Sequence, residues 1–130
     1  MTDFKLLILT RKFLLIDMVS KLENEITTEK SLKNTLLLFL SSFFPEITDI
    51  ISEKNYKCIE NLFDDMETNK LKEAATQQLT TLLLLYNGIL SSKIVDIKKI
   101  DTKQIFDFES ECIANSKYYL LELLRRLKNV

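Results

Sequence analysis

Histidine and tryptophan are absent from this sequence, glycine and proline occur once each, and cysteine occurs twice. Each shortage removes a chemistry or an architecture. Without histidine there is no Ser–His or Cys–His nucleophile pair, no imidazole general acid or base and no imidazole metal ligand. Two thiols, Cys58 and Cys112, do not make a Cys-rich zinc or iron–sulfur site. They read as buried, reduced residues of a chain with a good core, with a disulfide as the lesser alternative. The lone Gly88 leaves no P-loop and no GxGxxG turn. Sheets and hairpins need turn residues at short intervals. A chain this poor in Gly and Pro is expected to be helical, with short polar loops.

Charge of one sign is also lacking. The 18 basic and 19 acidic residues leave a formal charge of −1. Such a balance provides no long-range field for nucleic acid or an anionic membrane, so neither is expected as a partner. Fifteen lysines stand against three arginines, and Ile and Asn are common, which reads as the codon usage of an AT-rich genome. The apolar start, MTDFKLLILTRKFLLI, does not read as a signal peptide. Asp3 replaces the basic n-region, Arg11 and Lys12 interrupt the run, and no small-residue cleavage site follows. The expected compartment is intracellular, or the host cytoplasm for a virus or parasite.

What the chain does have is apolar pattern. Hydrophobic residues make up 46% and charged residues 28% of 130 positions, a globular composition for one expected domain. Leu79 to Ser92 carries no charge and includes Leu82, Leu83, Leu84 and Leu85 in a row. A helix apolar on all sides is buried or in lipid. This run is shorter than the roughly 20 residues a spanning helix needs, so it is expected to form a wrapped central helix at about Asn69–Leu90, with no membrane span. Gly88 is expected either to cap that helix or, preferably, to let a neighbour approach.

The remaining helices follow from 3.6-residue spacing. Phe4–Leu22 is the first, with a strand at Phe4–Leu9 as the rival. Phe4, Leu7, Ile8, Leu15, Met18, Leu22 and Ile26 form one apolar stripe, and Leu6, Leu9, Phe13 and Ile16 form a second. The next helix runs from about Glu29 to Phe44, capped by Thr28 or Ser31 and stopped by Pro45. A short helix at Glu46–Ser52 and a fourth helix at Tyr56–Met66, capped by Asn55, follow. Ser91–Ile100 is a connector tacked down by Ile94, Ile97 and Ile100. Asp101 and Gln104 have capping-box spacing and open one last helix from Thr102 to about Lys128. The expected fold is therefore all-α, a compact bundle of five to seven helices around a central hydrophobic helix. That outline is similar to the Bcl-2-like folds, including short viral versions. The similarity is one of layout, because the NWGR-type motif is absent and Tyr86–Asn87–Gly88 stands in its place.

Chemistry is left to carboxylates and surplus apolar surface. Glu60 and Asp64 have i, i+4 spacing, and Glu46 and Asp49 form an ExxD. Helical NTP pyrophosphatases hold magnesium with carboxylates so spaced, which makes such an enzyme the alternative function. A clear second ExxE half and a phosphate clamp are lacking. Glu109 and Glu111 are expected to be solvated. The Lys98, Lys99 and Lys103 cluster and the Arg125, Arg126 and Lys128 cluster also read as solvated surface. A small subunit of a nucleoprotein assembly is the third reading. The second stripe of the first helix, the Phe39, Phe43 and Phe44 corner and the Tyr118–Tyr119 pair exceed what a plain bundle uses. The leading expectation is a non-catalytic protein-binding module without cofactor or metal. It would take a partner helix or self-associate through Leu6, Leu9, Phe13, Ile16, Phe39, Phe43 and Phe44, with a homodimer first and a heteromer second.

Overall fold

The computed structural model describes residues 3–91 and 102–127. Among them are six α-helices and no strand: α1 (Asp3–Glu23), α2 (Glu29–Phe43), α3 (Thr48–Glu53), α4 (Thr68–Ser91), α5 (Thr102–Ile113) and α6 (Ser116–Arg126). The helices pack into a compact bundle, as expected. The expected connector is described only at Ser91, the last residue of α4; its Ile94, Ile97, Ile100, Lys98 and Lys99, as well as Asp101, Lys128 and the side chains of Phe4, Gln104 and Cys112, lie outside the described residues.

Local chemistry sets the helix ends. Thr28 caps α2, its hydroxyl accepting from the Ser31 amide at 3.2 Å. At the other end Pro45 opens a 3-10 turn, Pro45–Ile47. Its fixed φ suits a first helical turn and bars continuation of α2, so the chain bends by 117° there. Phe39, Phe43 and Phe44, expected as exposed apolar surface at that bend, are instead core, at 1%, 7% and 5% exposure. Phe39 and Phe43 stack at 4.3 Å.

The central position of α4 holds, since α1, α5 and α6 all pack on it. Its all-round wrapping does not. Leu71, Ala75, Leu79, Leu82 and Tyr86 are fully buried, at the spacing of one helical face. Leu83 and Leu85 are half-buried, and Leu84 is 69% exposed. Gly88 lies inside the helix with open space where a Cβ would stand, so it neither caps α4 nor admits a neighbour. The enclosed stretch is in α6. There Leu120, Leu121, Glu122, Leu123 and Leu124 are all buried, among α4, α2 and the Lys57–Ile59 3-10 turn.

Two expected helices differ. Tyr56–Met66 is a series of turns after Lys57–Ile59, with Asn61 left-handed at φ 70°. Asn tolerates that conformation, and like charges at Glu60 and Asp64 oppose a helix. Cys58, expected in the core, is exposed there. The single C-terminal helix is broken at Ala114–Asn115. The Ser116 hydroxyl donates to the Ile113 carbonyl at 2.7 Å, a side-chain bond that competes with the helical ladder. The break lets α5 and α6 take different directions. In α1, Leu7 is 36% exposed, and Ile26, beyond its end, is 85% exposed; both were expected inward. Among the described residues no single helix is long and apolar enough to cross a membrane.

Candidate functional site

The site is built on α1. Ile8, Leu15 and Met18 are fully buried and Leu22 nearly so. They point to one side of the helix, against α4 and α2. At 100° per residue, Leu6, Leu9, Phe13 and Ile16 fall on the opposite side. Leu6 is 54%, Phe13 60% and Ile16 40% exposed, and Leu9 is half-buried. Next to Ile16 a shallow groove of about 390 Å³ runs between α1 and α4, lined by Val19, Ser20 and Leu83. The outer face thus continues onto the apolar flank of α4.

A buried polar cluster fixes how α1 sits. Arg11 lies in the inward row, between Ile8 and Leu15, although a charge that interrupts an apolar run is ordinarily solvated. Its Nε donates to Glu109 at 2.9 Å and reaches the Tyr86 hydroxyl at 3.4 Å. A second guanidinium nitrogen donates to the other Glu109 oxygen. The Tyr86 hydroxyl also donates to Glu109. Glu109, expected in water, is 4% exposed. The guanidinium lies 4.2 Å above the Phe43 ring, so one cluster joins α1, α2, α4 and α5. Burial pushes the Tyr86 hydroxyl strongly up, and its hydrogen bond to Glu109 and the charge there add to this. Tyr86 therefore stays a proton donor. Burial lowers Arg11, but the hydrogen bonds and charges of Glu109 and Tyr86 together raise it overall.

A second cluster closes the far end. Glu122 is fully buried and accepts from Arg125 at 2.7 and 2.5 Å and from Arg126 at 3.0 Å. Arg126 also donates to the Thr68 hydroxyl at 3.0 Å and to the carbonyls of Phe63 and Met66 at 3.0 and 2.7 Å. The Phe63 carbonyl also accepts from the Met66 amide at 3.0 Å, in the turns that replace the expected helix. Arg126, expected as solvated surface, anchors the entry to α4. Burial alone would raise the Glu122 carboxyl, but the arginine hydrogen bonds and charges prevail and hold it below the usual carboxylate range. A group lowered by folding stabilises above its unfolded pKa and loses that contribution as pH falls through its folded value. Denaturant melts should therefore show wild-type stability falling below about pH 4.5, the ordinary value for this carboxyl. Glu122→Gln, already without that charge, should show a shallower fall.

The other sequence candidates scatter. Glu46, Asp49, Glu60 and Asp64 are all exposed, and Glu60 and Asp64 share no helix face. Both carboxylates act on Arg125 through their charge. Among the described residues no group of three or more His, Cys, Asp or Glu is placed to hold a metal ion. Tyr119 packs on Phe63 at 5.5 Å, and Tyr118 lies 5.1 Å beneath the Lys117 ammonium. The apolar surplus thus resolves into core at Phe39, Phe43 and Phe44 and exposed surface along α1. Comparison with family models, curated proteins and solved structures finds no match to this chain.

Proposed function

We propose that this protein is a non-catalytic interaction module, an adaptor, assembly subunit or modulator that binds a partner helix or another copy of itself through the outer face of α1. The observation that supports this reading is the exposure of Leu6, Phe13 and Ile16 on one side of a helix whose other side is core. Apolar area left in water forfeits about 25 cal/mol for each Å² that could be buried. Soluble monomers rarely leave a large contiguous patch uncovered. Anchors at such spacing are what helix-in-groove recognition uses.

Phe13→Glu tests the reading. The side chain is 60% exposed, and surface changes of this kind alter stability by about 0.5 kcal/mol or less. The variant should therefore keep the wild-type circular dichroism. Either purified at high concentration or in an extract of the cells that make the protein, tagged wild type should sediment above monomer size, and Phe13→Glu at monomer size under the same conditions. Wild type that sediments as a monomer both purified and in the extract contradicts the proposal.

A further inference from the structure

Building on the reading of the α1 outer face as an interaction site, we propose that its occupant is a second copy of this chain, with the two α1 helices parallel about a two-fold axis. The outer-face residues Leu6, Leu9, Phe13 and Ile16 are spaced by three, four and three. That is the a/d register of a coiled-coil seam, which a straight partner helix of the same repeat fits best. In this register Lys12 takes a g position, on one edge of the seam, and Asp17 an e position, on the other. Lys12 is half-buried and Asp17 exposed. Among the described residues neither is held in an ion pair.

The charges choose both the partner and the direction. In a parallel pair opposite edges of the two helices face each other, and a g residue meets the e residue five positions on in its neighbour. Lys12 then meets Asp17 of the second copy, and the two-fold axis repeats the pair on the other side. In an antiparallel pair each edge faces its own kind, and Lys12 meets Lys12. The face is therefore complementary to itself in the parallel arrangement. In this arrangement each of the four apolar residues meets its own copy across the axis, so the seam stays in register along its length. The register continues to Ser20 and Glu23, where apolar contact ends and like charges would meet, so pairing is confined to the first two-thirds of α1. A seam this short buries less than the roughly 1,200–2,000 Å² of stable interfaces. The dimer should form at tens of micromolar rather than nanomolar concentration.

Sedimentation velocity on purified protein, from micromolar to millimolar concentration, tests this. Wild type should pass from monomer to dimer. Lys12→Glu and Asp17→Lys should each weaken dimerisation about tenfold, since both symmetric pairs turn from attraction to repulsion. The double variant should recover the wild-type constant. An equimolar mixture of the two single variants should form a mixed dimer stronger than either alone. A dimer unaffected by Lys12→Glu overturns the parallel arrangement. Purified wild type that stays monomeric throughout overturns self-pairing. If that monomer still enters a Phe13-dependent complex in the cell extract, the interaction face stands and only its occupant is wrong. If it enters none, both proposals fail.

Discussion

Leu82→Asp should leave no folded protein, whereas Leu84→Asp, two positions along the same leucine run, should fold normally. Leu82 is fully buried on the face of α4 that meets the core, while Leu84 is 69% exposed. An aspartate at Leu82 loses the burial of an apolar side chain, about 1.5–3 kcal/mol. It also puts a carboxylate into the apolar core, which costs several kcal/mol more. The sum is comparable with a typical total stability of about 5–15 kcal/mol. At Leu84 the substitution removes an exposed apolar group and should change stability by no more than about 0.5 kcal/mol. Far-ultraviolet circular dichroism and urea melts of the two variants check the contrast. Equal tolerance would mean that α4 does not pack through this face.

The same run shows where pattern reading stops. Four consecutive leucines put apolar groups on every side of a helix, but the number of neighbours that come to cover them is a tertiary matter. Three helices pack on α4, and they leave the Leu84 side open. What local chemistry decides was readable: the Thr28 cap, the corner at Pro45 and the two opposite faces of α1. What long-range pairing decides was not. Glu109 meets a partner 98 residues away, and no local rule brings the two together. Signals nevertheless existed. Ile8, Arg11, Leu15, Met18 and Leu22 keep the spacing of one inward row, and Arg11 is its only charge. Glu109 lies four residues after Ile105 and three before Cys112, at the spacing of one helical face. Glu122 sits between two pairs of leucines, with arginines three and four positions on. A single charge inside an apolar row calls for an opposite charge elsewhere in the chain. Arg11 and Glu109 answer each other in that way.

That answer predicts the second large effect. Glu109→Ala should destabilise the protein by about 3–5 kcal/mol, the usual cost of leaving one half of a buried ion pair behind. The Arg11 guanidinium would lose both its carboxylate bonds and the Tyr86 hydroxyl its acceptor, while both stay enclosed by α2, α4 and α5. Replacing the whole cluster should cost far less. Arg11→Met with Tyr86→Phe and Glu109→Leu keeps the volume, removes every polar group that would be orphaned and preserves the apolar contact with Phe43. Buried charge clusters exchanged for apolar side chains of similar size are often neutral or even stabilised. The triple variant should therefore lie within about 1–2 kcal/mol of wild type, well above Glu109→Ala. Urea melts measure both. A mild loss in Glu109→Ala would show that water reaches the cluster and solvates Arg11. A triple variant as unstable as the single one would show that the cluster fixes α1 in a way that packing alone does not replace. The outer face of α1 depends on α1 staying docked, through this cluster or through apolar side chains in its place, because the docked row of Ile8, Arg11, Leu15 and Met18 sets the side that Leu6, Phe13 and Ile16 present. Destabilised Glu109→Ala should accordingly lose self-association at concentrations where the triple variant retains it.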